Sequence, residues 1–366
     1  MSENVSKEKN VFVRMFVPTK GDSKGTVIRK IVVVLCIVVA IVCAAIVIPE
    51  FTRRSEDAQM IDDLANKVQM NASGSFSVDE QKVEEIKQEV PEILDKFVDL
   101  YAENSDIVGW ITVGGGANLI SYPVMMNEEV TDFYLYRNFK KEDSISGSVF
   151  CDNHVLPFTD ANNLVIYGHN MGSGEYFAKL TRYYPDSAHR AGFVDHYSQY
   201  PTVQFDTLWE EGTYKIFAGI FINTEDKDGY PYPYYKKRLF KNELEFMDFM
   251  GNIMDRSTFY TGVDVEYGDE IITLSTCYYP MGKEVDTRFA LFARKVREGE
   301  DPSVDVSKIV INPDPLYFDT YYKWMGGSWG GRTWDVDYPW LVKDFDKYSD
   351  QIDSLDNVEP EDSRGA

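Results

Sequence analysis

Thr273-Leu274-Ser275-Thr276-Cys277-Tyr278-Tyr279 follows the apolar pair Ile271-Ile272 and precedes a second apolar run from Phe289 to Val296. The β-branched and aromatic content of both runs predicts two strands, with a thiol at the tip of the first. Arg288 opens the second. A third run, Leu164-Val165-Ile166-Tyr167, ends in Gly168-His169-Asn170. Thiol, imidazole and guanidinium thus each stand at the end of a strand-like segment. That is how a scaffold presents a cysteine nucleophile, its acid/base partner and an anion stabiliser to one cleft.

Working outward, residues 106–296 consist of short β-branched and aromatic runs separated by turn residues. They predict eight strands, at about 107–113, 119–125, 147–151, 163–168, 202–208, 214–222, 270–276 and 289–296. Gly114-Gly115-Gly116 joins the first two. No Lys-Ser/Thr pair follows the triplet, so it reads as a hairpin turn rather than a phosphate cradle. Helical inserts fit at about 174–184 and 241–255. Eight strands with helices in their connections predict a mainly β fold, a closed or nearly closed barrel that protects its sheet edges. Upstream, Val83, Ile86, Val90, Leu94, Phe97, Val98 and Tyr101 recur at helical spacing over 78–104, a helix that Pro91 kinks or splits.

The N-terminus has a different character. Ile31 to Ile48 is uncharged and almost wholly Val, Ile, Ala, Leu and Cys. As a helix these residues span about 27 Å, close to the hydrocarbon thickness of a bilayer. Residues 1–30 carry seven Lys/Arg against Glu3, Glu8 and Asp22, while the whole chain has a net charge of −23. The positive-inside rule therefore puts a cytoplasmic basic segment (1–30) before an anchor (31–48), with the acidic bulk outside. A polar stalk (49–77) follows. The acidic balance argues against nucleic acid as a partner.

Cys36 and Cys43 fall in the anchor, leaving Cys151 and Cys277 beyond it. A Cys151–Cys277 disulfide is the structural alternative to a reactive thiol, because an exported domain tolerates one. From 299 to 366 the chain is an acidic extension holding four of the six tryptophans: Trp324, Trp329, Trp334 and Trp340. Aromatic residues at this density bury themselves, so the extension is expected to pack on the barrel.

Over roughly 80–296 the chain resembles the sortases, the membrane-anchored cysteine transpeptidases of Gram-positive surfaces. Thr273 to Cys277, Tyr167-Gly168-His169-Asn170-Met171 and the Arg288-Phe289 strand carry the resemblance. Asn104 to Ile111, Tyr122-Pro123-Val124, Tyr134 to Phe139, Gly147 to Phe150 and the helix-bearing insert 224–258 are similar to class B in particular. The resemblance implies an eight-stranded sortase barrel with peripheral helices, here the catalytic domain 78–298. It implies cleavage of a C-terminal sorting signal after Thr through a thioacyl-enzyme. The acyl group then passes to a peptidoglycan amine or, less in keeping with the class, a pilin lysine. The clients are secreted proteins, and the catalytic domain is extracellular.

On this reading Cys277 is the nucleophile and His169 the general acid/base, while Arg288 supplies planar donors to the oxyanion or the substrate backbone. Ser275 lies two residues before Cys277 and shares its strand face, so it is expected to contact the peptide. Leu135 matches a substrate-groove position. Tyr232 and Tyr234 belong to an aromatic loop with Tyr230, Pro231, Pro233 and Tyr235 where the class grips its signal. Competing readings stand beside these. Asp286 or Glu284 could hold Arg288, and Arg294 could take its role. Cys151 and His154 are a rival pair, better explained by packing. His189 and His196 read as solvated surface. No three or four ligands are spaced for zinc, and nothing calls for a cofactor. An endopeptidase releasing the acyl group to water, or a non-catalytic scaffold acting through the Trp-rich extension, remain alternatives to the transpeptidase.

Overall fold

The computed structural model describes residues 15–117, 119–153, 162–185, 190–225, 228–229 and 232–355. They divide between Met60 and Ile61 into two compact units. In the first, α1 (Lys24–Ala72) begins, and its segment Ile31–Ile48 presents apolar side chains outward. By length and composition it can cross a membrane. The helix runs on through Pro49 into the segment expected as a stalk, so that stretch is helical as far as Ala72.

In the second unit, α2 (Glu80–Glu89) starts where the Asp79 carboxylate accepts from the amide of Lys82. It stops at Val90, because the residue before a proline avoids the helical region. The chain resumes as a 3₁₀ turn at Asp95–Phe97 and α3 (Val98–Glu103), so Pro91 splits the expected helix. The barrel strands are β1 (Ile107–Val113), β2 (Ile120–Met125), β3 (Val149–Cys151), β4 (Asn163–Tyr167), β5 (Thr202–Thr207), β6 (Thr213–Asn223), β8 (Ile271–Cys277) and β9 (Thr287–Lys295). They close in the order β1-β2-β3-β4-β8-β9-β6-β5. The glycine triplet turns β1 into antiparallel β2, as a hairpin requires. A short pair outside the barrel, β7 (Phe259–Tyr260) with β10 (Val310–Ile311), was not legible, since two residues leave no alternation to read.

Strand alternation sorts the core into two layers. Ile111, Ile120, Val124, Ile166, Ile272, Leu274, Phe289 and Leu291 belong to the cluster that fills the barrel. On the other face of β4, β6, β8 and β9, Val165, Ile220, Ile271, Ala290 and Phe292 meet α5 (Glu243–Arg256). Asn242 caps α5 by accepting from the Glu245 amide. Phe246, Phe249, Met250 and Ile253, at helical spacing, supply its buried stripe. Cys277 and Arg288 share the outer parity with Ile271 and Phe292.

The insert expected as a helix at 174–184 is a 3₁₀ segment, Phe177–Tyr183. It is followed by α4 (Arg190–Gln199), which carries His196. The expectation of a solvated His196 fails. The ring is half-buried between Tyr183 and Tyr200, and its Nε2 has no hydrogen-bond partner among the described residues. His154 and His189 lie outside the described residues. Burial, aided by the charge of Arg182, pushes the His196 pKa down to about 4 from 6.5. The depressed value means the folded state resists protonation. The corresponding stability is complete above 6.5 and is lost as pH falls from 6.5 toward 4. Thermal melts across that window should show His196→Phe with a flatter pH dependence than the parent. An unchanged slope would contradict the assignment.

Candidate active site

The site sits at the end of the barrel where β4 and β8 finish and β9 begins. β4 and β8 run parallel with Tyr167 beside Ser275, and β8 and β9 run antiparallel with Cys277 directly opposite Arg288. Directly opposed residues hold their Cβ atoms roughly 4.5–5.5 Å apart on one face. The thiol and the guanidinium are therefore neighbours by register.

The loop after β4 brings His169 to the same end. The Gly168 amide donates to the Ser275 carbonyl at 3.1 Å, and the Thr276 hydroxyl donates to the Gly168 carbonyl at 2.7 Å. Asn170 Nδ2 donates to the carbonyl of Cys277 itself at 2.8 Å. The His169 carbonyl accepts from the Phe177 amide at 2.9 Å, so both flanks of the histidine are pinned. His169 Nε2 lies 2.8 Å from the Leu135 carbonyl. A carbonyl only accepts, so Nε2 carries the proton and the neutral ring leaves Nδ1 as its acceptor.

Leu135 thus meets the site through its backbone. Gly147, with φ of 56°, passes so close to the Leu135 carbonyl that it leaves no room for a side chain. An added Cβ would fall 2.3 Å from the Leu135 oxygen and 2.7 Å from that of Tyr134. Gly147→Ala is expected to cost about 1–3 kcal/mol in backbone strain alone. It should also displace the His169 partner, lowering both melting temperature and turnover. An alanine variant with parental turnover would break this link.

Arg288 is engaged on one side by Asp286. Nη1 and Nη2 reach the two carboxylate oxygens at 2.5 and 3.3 Å, and Nη1 also donates to the Thr287 carbonyl at 3.1 Å. Burial would raise the Asp286 carboxyl, but hydrogen bonds from Arg288 and Thr224 hold it below its ordinary value. Tyr279, which the sequence reading gave no role, joins this group. Its hydroxyl lies 3.5 Å from Arg288 Nη1 and 3.4 Å from Asp286 Oδ1. Burial, then its hydrogen bond and proximity to Cys277, pushes the phenol up to about 12. The available signal was its two-residue spacing from Cys277.

Arg294 lies six rows along the same strand pair, opposite Ile271, fully buried and ion-paired with Asp264, Asp269 and Glu300. It is structural and far from the thiol in register. Cys151 is buried on β3 and unbonded to any other cysteine. Burial, with the negative charge of Asp152, drives its thiol well above the ordinary range, which suits packing and not attack. All four cysteines are free, so the disulfide alternative fails.

Ser275 shares the Cys277 face but is buried, and its hydroxyl is 2.7 Å from that of Tyr234. Direct contact with a peptide is not open to Ser275 in this conformation, because the insert loop lies over it. Tyr234 is itself buried, its phenol raised to about 12 by desolvation despite the Ser275 hydrogen bond and the Arg288 charge. Tyr232 is half-buried, with the Arg256 guanidinium 5.2 Å from its ring centroid. Tyr230 and Pro231 lie outside the described residues. Among the described residues, no group of three His, Cys, Asp or Glu side chains is placed to hold a metal.

No family model matches the chain. Individual relatives do. Sortase B of Listeria monocytogenes is 33% identical over 187 residues, covering 51% of this chain and 68% of that protein. Sortase B of Staphylococcus aureus is 28% identical over 182 residues, covering 50% and 67%. Among solved structures, the Bacillus anthracis sortase B complex with AAEK1 superposes with a TM-score of 0.50 at 25% identity. It covers 68% of this chain and 99% of that one. The S. aureus sortase B–substrate complex gives 0.51 at 23% identity, covering 67% and 99%, and shares the fold. A closed eight-stranded barrel and a Listeria relative matched over two thirds of its length agree: the chain belongs to the sortase B family and is a sortase-type cysteine transpeptidase.

Proposed function

We propose that Cys277 cleaves a C-terminal sorting signal after Thr and transfers the new carboxyl end to a cell-wall peptide amine. The observation that carries this reading is the opposition of Cys277 and Arg288, with the His169 loop hydrogen-bonded through Asn170 to the Cys277 carbonyl.

The Cys277 thiolate attacks the threonine carbonyl carbon, and negative charge moves onto the carbonyl oxygen. The Arg288 guanidinium stabilises that charge with donors not taken by Asp286. Protonated His169 gives a proton from Nδ1 to the leaving amide nitrogen, the C–N bond breaks, and a thioester remains. An incoming amine then attacks the thioester and gives a proton back to His169, and the thiolate leaves. Tyr232 and the Leu135 segment border the peptide, with Ser275 and the buried Tyr234 acting from beneath through their paired hydroxyls. The N-terminal apolar helix holds the chain in the membrane, with the basic end in the cytoplasm and the barrel outside.

Mass spectrometry tests this on the full-length chain in detergent. The chain is mixed with sorting-signal peptides of the Asn-Pro-x-Thr-Asn and Ser/Leu-Pro-x-Thr-Gly kinds, with and without an added amine. A covalent adduct on Cys277 and an amine-linked product are expected. An adduct on any other residue, or on none, would refute the assignment.

A further inference from the structure

The C-terminal extension packs behind the site. β10 carries the chain to α6 (Asp319–Met325), and Tyr317, Phe318 and Tyr321 around the start of that helix meet Phe221 near the end of β6. Tyr317 and Tyr321 stack face to face with centroids 3.8 Å apart, and both meet the ring of Phe221 edge-on at 6.4 and 6.2 Å. Phe318 also meets Phe221, at 5.4 Å. Phe221 in turn stands 5.8 Å from Tyr278, the residue immediately after Cys277, and pairs in register with Phe289. Tyr184 completes the group, 5.6 Å from Tyr278 and with its hydroxyl 3.5 Å from that of Tyr317. The start of α6 is fixed as well, because the Thr320 amide donates to Asp228, whose other oxygen accepts from Asn223 at the end of β6.

We propose that the extension is a positioning element for the reaction, acting through Tyr317 and Tyr321 on Phe221 and Tyr278 to fix the Cys277–Arg288 pair. The proposal rests on Cys277 being the nucleophile. Cys277 and Arg288 form the last paired row of β8 and β9, and beyond it one backbone bond, from the Tyr278 amide to the Thr287 carbonyl, continues the ladder. A strand end frays unless its side chains are packed. Here the packing comes from the Tyr278 ring, and the wall it packs on is finished by the extension. The Bacillus anthracis sortase B structure meets 68% of this chain with 99% of its own length, so about a third of this chain has no counterpart in that structure.

The test is the alkylation of Cys277 by iodoacetamide in the full-length chain, followed against pH by peptide mass spectrometry beside thermal melts. It needs no knowledge of the sorting signal. Tyr321→Ala should slow alkylation at neutral pH by about tenfold, because the thiolate that reacts depends on the neighbouring cation staying in place, and should displace the midpoint of the pH profile. Tyr321→Phe keeps the ring and should restore the parental profile. Trp334→Phe, which weakens the extension elsewhere, should lower the melting temperature and leave the profile alone. If Tyr321→Ala does not fold, Tyr321→Leu keeps the bulk without the flat ring and carries the same expectation. A folded Tyr321 variant with the parental profile would overturn the proposal, as would Trp334→Phe moving the profile equally. Absence of a peptide adduct on Cys277 would instead refute the assigned nucleophile, whatever the alkylation profile shows.

Discussion

Ending the chain after Gly299 is expected to leave no cooperatively folded domain. Phe318, Trp334, Leu341, Val342, Phe345 and Ile352 are all buried, most of them in the layer that covers α5. Each contributes roughly 1.5–3 kcal/mol, against a total of about 5–15 kcal/mol for a domain. Polar losses add to this. Asp255 on α5 is buried, and its carboxylate accepts from Arg332 Nε and Nη2 and from Trp334 Nε1 at 2.8–2.9 Å. Removing both partners strands a buried charge. Glu300 also goes, leaving Arg294 and Lys215, both buried, without the carboxylate they share. Breaking a buried pair from one side costs about 3–5 kcal/mol. Near-ultraviolet circular dichroism and a thermal melt decide the matter. A truncated chain with a sharp transition near the parental midpoint would show the extension to be dispensable.

The sequence reading placed this extension on the barrel because its tryptophans needed burial, and Trp334 is indeed buried. It did not foresee that other parts of the segment pack on Phe221, which meets Tyr278 beside Cys277. Those contacts join Tyr317 and Tyr321 to Phe221, and through it to Tyr278, across about forty to a hundred residues, and no local pattern encodes them. The barrel strands were legible as β-branched and aromatic runs between turn residues, and all of them but the three-residue β3 run five residues or more. β7 and β10 are too short to read as runs. Ser275 illustrates a different limit. Alternation correctly put it on the Cys277 face, but whether that face is open depends on Tyr234 folding over it from forty-one residues away. Arg288 was legible as the thiol's neighbour because register is local to one hairpin, and the Asp286 contact that occupies part of its fork is legible for the same reason.

Cys277→Ala is expected to abolish transfer completely, with no residual product above the uncatalysed level. Nothing else can take the thiol's place. Cys151 is sealed in the barrel wall with its thiol held protonated by burial, and Cys36 and Cys43 lie on the N-terminal apolar helix. The fold should survive, because Cys277 is only half-buried at a strand end and alanine keeps its backbone bonds. His169→Ala should lose about 10²–10⁴-fold, the usual contribution of a positioned acid/base. Arg288→Lys separates charge from geometry. Asp286 already holds Nη1 and Nη2, so only a planar fork keeps that ion pair and still offers a donor to the oxyanion. A lysine ammonium drawn to Asp286 leaves the oxyanion without it, and a loss of about 10²–10³-fold is expected, as for a missing oxyanion donor. Amine-linked product, quantified by mass spectrometry for folded variants, measures all three. Product formed by Cys277→Ala would refute the nucleophile, and parental turnover in Arg288→Lys would refute the role given to the guanidinium.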